Sequence, residues 1–276
     1  MKTILLGMLA ETAIHPGTGR SGGVIDLPVA REAATDYPFI AGSSLKGAFR
    51  DKTETALEKA KGKELADKWF GKADSAGELL VSDARLLLLP VRSLTGSYRW
   101  LTCPHILERL GRDMRRAGLT FDASVPEVAK AAVHTCGSGK IYLEERQLSI
   151  AAEPDGKLVE VLAALITHAV TRGRIDKTLA IVSDDDFAWF ARYALPVQAR
   201  NVLDDETKQS KNLWYEESLP ADTLMYAVIA GRNNAAEETV KSLFEDDAYI
   251  QVGGNETVGA GWFAVKVQSS GEEGPR

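Results

Sequence analysis

The stretch Tyr37-Pro-Phe-Ile-Ala-Gly-Ser-Ser-Leu-Lys-Gly-Ala-Phe-Arg50 constrains the fold more than any other part of the chain. Pro38 and Gly42 interrupt whatever precedes it, and Leu45, Ala48, Phe49, Ala56 and Leu57 then recur at helical spacing. Ser43 or Ser44 can cap such a helix, which is expected to run from about 43 to 61 and stop at Gly62. Its first turn would offer unpaired backbone N–H groups, two hydroxyls and Lys46, with Gly47 leaving room for close approach. That arrangement suits an anion such as the phosphate of a nucleotide or a nucleic-acid backbone. On these residues alone an ordinary capped helix with a surface lysine is the simpler explanation.

Strands are expected on either side of this helix. In residues 2–12, Ile4, Leu6, Met8 and Ala10 alternate onto one side, and the apolar run within 77–90, bounded by Gly77 and Pro90, reads as buried on both faces. A short helical piece at 64–70 lies between. Strand, helix, strand opens an α/β or α+β unit. The second half repeats it, with a strand at 223–230, a helix at 234–244 and strands at 249–252 and 263–267. Two such halves predict a ferredoxin-like core, with helices covering one face of a mainly antiparallel sheet.

Between the halves come a turn-rich segment at 92–102, a helix at 104–117 and a weakly patterned stretch from 121 to 150 broken by Gly137-Ser-Gly139. The span 92–150 therefore reads as an insertion that leaves the main core. An apolar helix at 157–171, a strand at 179–182 and a helix at 187–193 follow. Residues 197–203 and 213–217 flank a polar run, as a hairpin arm with a solvated tip would. The tail 269–276 is expected to be disordered.

Composition limits the function classes. With 276 residues, 45% hydrophobic and 26% charged, the chain can bury a substantial core and is neither a fibre nor a disordered protein. It lacks an apolar run of the roughly 20 residues that a bilayer-crossing helix needs, and its start lacks a signal-peptide pattern, so a cytoplasmic protein is expected. Cys103 and Cys136 have no metal-ligand spacing and are expected as buried free thiols. A net charge of −6 argues against nucleic-acid binding on its face. Charge is local, however: acids gather at 204–206, 216–217, 237–247 and 272–273, whereas Arg109, Arg112, Arg115 and Arg116 fall together, as an RNA rail or a solvated helix face.

Three stretches carry candidate chemistry. From Ile14 to Pro28 the chain holds four glycines and two prolines in fifteen residues, a long loop bearing His15, Arg20 and Asp26. Gly253-Gly254 and Gly259-x-Gly261 enclose Asn255, Glu256 and Thr257. No Lys-Ser/Thr follows and no helix opens, so this is neither a Walker loop nor a dinucleotide fingerprint; it lets a backbone approach a ligand closely, or it is an irregular hairpin. Asp184-Asp-Asp186 invites a metal reading, but with Ser183 it reads better as a helix cap.

Taken together, His15-Pro-Gly-Thr-Gly, Asp26, Ile40-Ala-Gly-Ser-Ser-Leu-Lys-Gly47, Gly77-x-Leu-x-Val-Ser-Asp-Ala84, Leu213-Trp-Tyr-Glu-Glu217 and the Gly253–Gly261 loop resemble the RAMP superfamily of CRISPR proteins. Pro90-Val-Arg-Ser-Leu-Thr-Gly96 with Leu101-Thr-Cys-Pro104 resembles, more narrowly, the repeated backbone subunit of type III-B effector complexes. Ala41 departs from the pattern, which usually has proline there. The resemblance implies one modified ferredoxin-like (RRM-like) α+β domain over 1–276, with insertions at roughly 13–38 (a catalytic loop), 92–150 (a lid) and 198–217 (a protruding thumb).

The partners it implies are CRISPR guide RNA, single-stranded target RNA, further copies of the chain in a helical filament and other type III-B subunits, with no membrane. Asp26 would be the catalytic acid, with His15 and Glu216 or Glu217 as further candidates. Gly42, Ser43, Ser44, Lys46, Arg50, Arg92, Gly253, Gly254, Thr257, Gly259 and Gly261 would hold RNA.

The chemistry also follows from the substrate. RNA supplies its own nucleophile in the 2′-hydroxyl, so a protein need only hold one nucleotide unstacked and in line. A carboxylate such as Asp26 then either accepts the 2′ proton or binds a divalent cation, Mg or Mn, against the developing charge. Without the resemblance, Asp26 is a solvated loop acid, His15 an anchor for its loop, and Trp214 and Tyr215 hairpin packing. Three functions stay open: a target-cleaving backbone subunit, a non-catalytic guide-RNA scaffold, and a guide-processing endoribonuclease.

Overall fold

The structure, a computed structural model, describes residues 2–56, 59–232 and 236–270. Strand Thr3–Ala10, helix Gly42–Ala56 and strand Ala84–Arg92 form the first unit of the core; strand Leu224–Gly231, helix Ala236–Phe244 and strand Trp262–Gln268 form the second. Thr3–Ala10 lies between the two strands of the second unit, pairing antiparallel with both (Leu6 opposite Ala227, Gly7 opposite Lys266), and Leu224–Gly231 pairs antiparallel with Ala84–Arg92 (Leu224 opposite Leu88). The spatial order fourth, first, third, second is the ferredoxin-like arrangement read from the two halves. Every residue of Leu224–Gly231 is buried, so its unbroken apolar run marks a strand covered on both faces.

Ala84–Arg92 carries the sheet onward. Its first half pairs with Leu224–Gly231, while Leu89 to Arg92 pair with strand Tyr98–Thr102. Leu179–Val182 then runs parallel to Tyr98–Thr102 and antiparallel to Ala132–Thr135, after which come Arg146–Ala152 and Lys140–Leu143. The span 92–150, read as an insertion, extends this sheet and packs on it: Trp100, Leu107, Val133, Ile141 and Leu148 belong to the same hydrophobic cluster as Leu5 and Phe263. Its strands are short and half-exposed, with burial alternating along Lys140–Leu143, which leaves little apolar signal. The turn-rich 92–102 segment likewise contains a strand, whose Trp100 is fully buried and donates its indole N–H to the Asp222 carbonyl at 2.7 Å.

Other boundaries differ locally. The first helix ends at Ala56 and a second, Lys59–Phe70, follows; residues 57–58 of the single long helix expected there lie outside the described residues. Gly62 is inside the second helix, where a Cβ would lie 2.9 Å from the Glu54 carbonyl oxygen, so this glycine permits two helices to touch instead of stopping one. The buried strand expected at 77–90 is two, Leu79–Val81 and Ala84–Arg92, broken at Ser82-Asp83. The apolar helix at 157–171 is two pieces, Gly156–Ala164 and Ala169–Arg172. The start of the 234–244 helix and residues 271–276 of the tail lie outside the described residues.

Ser183 caps helix Asp184–Tyr193, accepting the Asp186 N–H at 3.2 Å, and Asp186 forms an ion pair with Arg146. Cys103 is buried, and burial pushes its thiol up to about 12. Cys136 is half-buried, a correction to the reading of both thiols as buried: its Sγ donates to the Lys177 carbonyl near the surface. No helix among the described residues is long and apolar enough to cross a membrane.

Candidate functional site

Among the described residues the hairpin Val197–Leu203 with Ser210–Glu217 pairs with none of the strands of the large sheet and is mostly exposed, so it stands off the body. Alternation along a strand sends Asn212, Trp214 and Glu216 to one face and Leu213, Tyr215 and Glu217 to the other. The long loop meets the hairpin at its root. Leu27 N–H donates to the Tyr215 carbonyl at 3.0 Å and Glu217 N–H donates to the Leu27 carbonyl at 3.0 Å, so the loop runs as an extra strand beside the hairpin.

This docking fixes Asp26. Its Oδ2 accepts the Tyr215 N–H at 2.8 Å, and Oδ1 has no hydrogen-bond partner among the described residues. Asp26 lines a cavity of about 240 Å³ with Arg20, Trp214, Glu216 and Asn255. Glu216 is buried, accepts the Asn255 side-chain amide on Oε1 and has Arg200 Nε 3.7 Å from Oε2. Of the two adjacent glutamates, the structure brings Glu216 to Asp26.

Glu217 and His15 are used elsewhere. Glu217 is buried, accepts the Val29 N–H at 3.0 Å and forms an ion pair with Arg31 at 2.7 Å. Arg31 also donates to the carbonyls of Asp36 and Ala191, both at 2.9 Å, so this pair ties the returning limb of the loop to the hairpin root. His15 Nδ1–H donates to the Glu217 carbonyl at 2.7 Å, and Nε2 lies where a Cβ on Gly17 would be 2.7 Å away. The His15 carbonyl accepts the Gly254 N–H at 2.9 Å. His15 therefore fastens three segments together and does not line the Asp26 cavity.

Several of the expected RNA-binding residues form a second region. Ser43, Lys46, Gly47 and Arg50 recur at three- and four-residue spacing on the exposed side of helix Gly42–Ala56. On one side a groove of about 870 Å³ is lined by Lys46, Arg50, Lys72 and Arg232; on the other, a groove of about 440 Å³ brings Ser44 and Gly47 against Gly253 and Gly254. Helix and glycine loop thus face each other across one groove. Gly253 has φ 103, and a Cβ there would sit 2.9 Å from the His15 carbonyl oxygen, so no side chain is accommodated. Thr257 and Gly259 are exposed on the same loop, whereas Gly261 is buried against the Val252 backbone.

The expected serine cap is corrected here. The helix opens at Gly42 without a serine cap: Asp83 Oδ1 accepts the Gly42 N–H at 2.7 Å, and the Ala41 carbonyl accepts those of Ser44 and Leu45. A carboxylate thus already occupies the N-terminus where an anion was expected, a favourable position for it beside the helix dipole. Arg50 is committed to Asp67, to Glu54 at 2.9 Å and to the Gly71 carbonyl at 2.7 Å. Arg92 pairs with Glu144 at 3.0 Å and lines neither groove. In the arginine cluster, Arg109 chelates Glu32 at 2.5 and 2.9 Å, while Arg112, Arg115 and Arg116 are exposed.

Sequence reasoning did not assign Asn255, Asn212 or Trp214 to the Asp26 site. The period-two pattern of the hairpin carried the signal for the last two, since it sets them on the Glu216 face. Asn255 gave only a local one: a short polar residue among glycines, here with φ 64. Among the described residues no three His, Cys, Asp or Glu side chains converge as a metal cage.

A ferredoxin-like core that presents a loop acid at the root of a free-standing hairpin agrees with the family comparison: the RAMP superfamily model matches residues 8–264, and the chain belongs to that superfamily. Among individual proteins, it is 36% identical over 287 aligned residues to the CRISPR system Cmr endoribonuclease Cmr4 of Pyrococcus furiosus, covering 97% of this chain and 96% of that one. The crystal structure of oligomeric Cmr4 from Pyrococcus furiosus superposes with a TM-score of 0.79 at 30% identity, covering 99% of this chain and 100% of the other. A chain of the type III-B Cmr-beta complex bound to cognate target RNA, seen by cryo-EM, shares the fold with a TM-score of 0.78 at 20% identity, covering 97% of each chain.

Proposed function

We propose that this chain is the repeated backbone subunit of a type III-B CRISPR complex, binding guide RNA and cutting complementary target RNA at regular intervals. The observation that carries the reading is the seat of Asp26, fixed to the root of a protruding hairpin, in a chain 36% identical to a protein named as a Cmr endoribonuclease. Guide phosphates lie along the helix face of Ser43, Lys46 and Gly47 and against Gly253 and Gly254, where the backbone is bare. The hairpin separates neighbouring stretches of guide–target duplex, so that an unstacked target nucleotide falls beside Asp26. Its carboxylate acts on the 2′-hydroxyl, which attacks the adjacent phosphorus in line.

Asp26 and Glu216 line the cavity together with Asn212 and Asn255, and a Mg or Mn ion there would be held by the Asp26 carboxylate, with RNA oxygens and water supplying the rest of the shell. When bound, such a cation stabilises charge on the phosphate. Copies associate head to tail, as an open filament requires, and other type III-B subunits close its ends in the cytoplasm.

The test is reconstitution with guide RNA and other type III-B subunits, followed by presentation of target RNA with and without a divalent cation. Evenly spaced cuts, lost in Asp26→Ala with guide still bound, are the expected result. Guide retention without any cutting reduces the chain to a scaffold. Cutting of repeat RNA by the isolated chain makes it a guide-processing enzyme, and failure to retain RNA overturns the whole reading.

A further inference from the structure

We propose that Arg20 is a further catalytic residue, whose guanidinium contacts the non-bridging oxygens of the scissile phosphate. The proposal rests on the reading of Asp26 given above.

The charge balance of the cavity motivates it. Asp26 and Glu216 both line this space, and two carboxylates repel an incoming phosphodiester. Among the lining residues Arg20 is the only cation. The neighbouring arginines are taken: Arg31 is paired with Glu217 and Arg200 lies 3.7 Å from Glu216. Arg20 is exposed and makes no ion pair among the described residues, although two carboxylates share its cavity. A cation held apart from acids in one cavity leaves a place between them for an anion.

Local backbone structure keeps it there. Ser21 N–H donates to the Asp26 carbonyl at 2.8 Å, closing the segment 21–26 into a turn. Arg20 immediately precedes that closure and Asp26 ends it, so the main chains of the two residues meet at the neck of the turn while both side chains line the same cavity. A planar guanidinium suits bidentate contact with two phosphate oxygens.

The step balances without an added reagent. The 2′-oxygen forms a bond to phosphorus while its proton passes to the Asp26 carboxylate. The bond from phosphorus to the 5′-oxygen breaks, the electron pair leaves on that oxygen and water protonates it, giving a 2′,3′-cyclic phosphate and a 5′-hydroxyl. Arg20 transfers no proton; its donors meet the charge that grows on the non-bridging oxygens.

The experiment compares Arg20→Ala, Arg20→Lys and Asp26→Asn in the assembled, guide-loaded complex, measuring single-turnover cleavage and target affinity separately. Arg20→Ala is expected to cut about 10²-fold more slowly with target affinity unchanged, and Arg20→Lys to recover part of the rate. Sulfur substitution at the contacted non-bridging oxygen should slow the wild type more than Arg20→Ala. A wild-type rate for Arg20→Ala beside an inactive Asp26→Asn overturns the role of Arg20 alone. Weakened target affinity with an unchanged cleavage step makes Arg20 a binding grip and also overturns it. Cleavage by Asp26→Asn removes the reading on which the proposal stands.

Discussion

Asp26 Oδ2 accepts the backbone N–H of Tyr215 at 2.8 Å, which ties the acid on the long loop to the root of the hairpin. Because the donor is main chain, the tie does not depend on which side chain occupies position 215. Asparagine can make the same bond through its carbonyl oxygen but carries no charge. Asp26→Asn should therefore keep guide binding and thermal stability while cleavage falls by about 10²–10⁴-fold, the range of a lost acid–base group. A rate close to wild type would show that Asp26 only positions the loop.

The adjacent glutamates should separate stability from activity. Glu217 is buried and paired with Arg31 on one oxygen and the Val29 N–H on the other. Removing one partner of such a pair leaves an uncompensated charge, so Glu217→Ala should destabilise the fold by about 3 kcal/mol in denaturant titration. Glu216 faces the Asp26 cavity, and Glu216→Ala should lower cleavage more than it lowers stability. The reverse pattern would assign the cavity to the wrong glutamate.

Much of the core was legible because its strands are buried on both faces and its two halves repeat one order of elements. The site was legible in part. The loop acid, the helix face and the glycine loop each carry a local pattern, but which glutamate meets Asp26 depends on the face that the hairpin turns to the loop. Asp83 closes helix Gly42–Ala56 from 41 residues away in sequence, a pairing that helix spacing cannot announce. The strands between 132 and 152 stayed hidden because they are short and half-exposed: burial alternates along Lys140–Leu143, which leaves no apolar run to read. Gly62 misled because a close approach of two helices and a helix stop use the same residue.

Gly47 distinguishes a folding role from an RNA role. It lies within helix Gly42–Ala56, and a Cβ there would meet nothing within 4 Å. Alanine in a helix interior is favoured over glycine by about 1 kcal/mol, so Gly47→Ala should raise the melting temperature. If guide RNA runs across this helix face, the same methyl group should weaken guide affinity. Unchanged affinity, measured by filter binding at fixed salt, would move the guide elsewhere.

Glu32 and Arg109 predict one part of the acid response. Burial alone would raise the Glu32 pKa, but hydrogen bonds from Arg109 and Thr35 together with the Arg109 charge outweigh it and hold the carboxyl below its usual range. A carboxyl with a depressed folded-state pKa contributes stability that is complete above its unfolded value of about 4.3 and lost as pH falls through the folded value. The stability gap between wild type and Glu32→Gln should therefore be constant from about pH 7 to about pH 5 and shrink below that as Glu32 protonates. Paired urea titrations across this range measure it; a gap that widens toward acid would mean that burial, and not Arg109, governs the carboxyl.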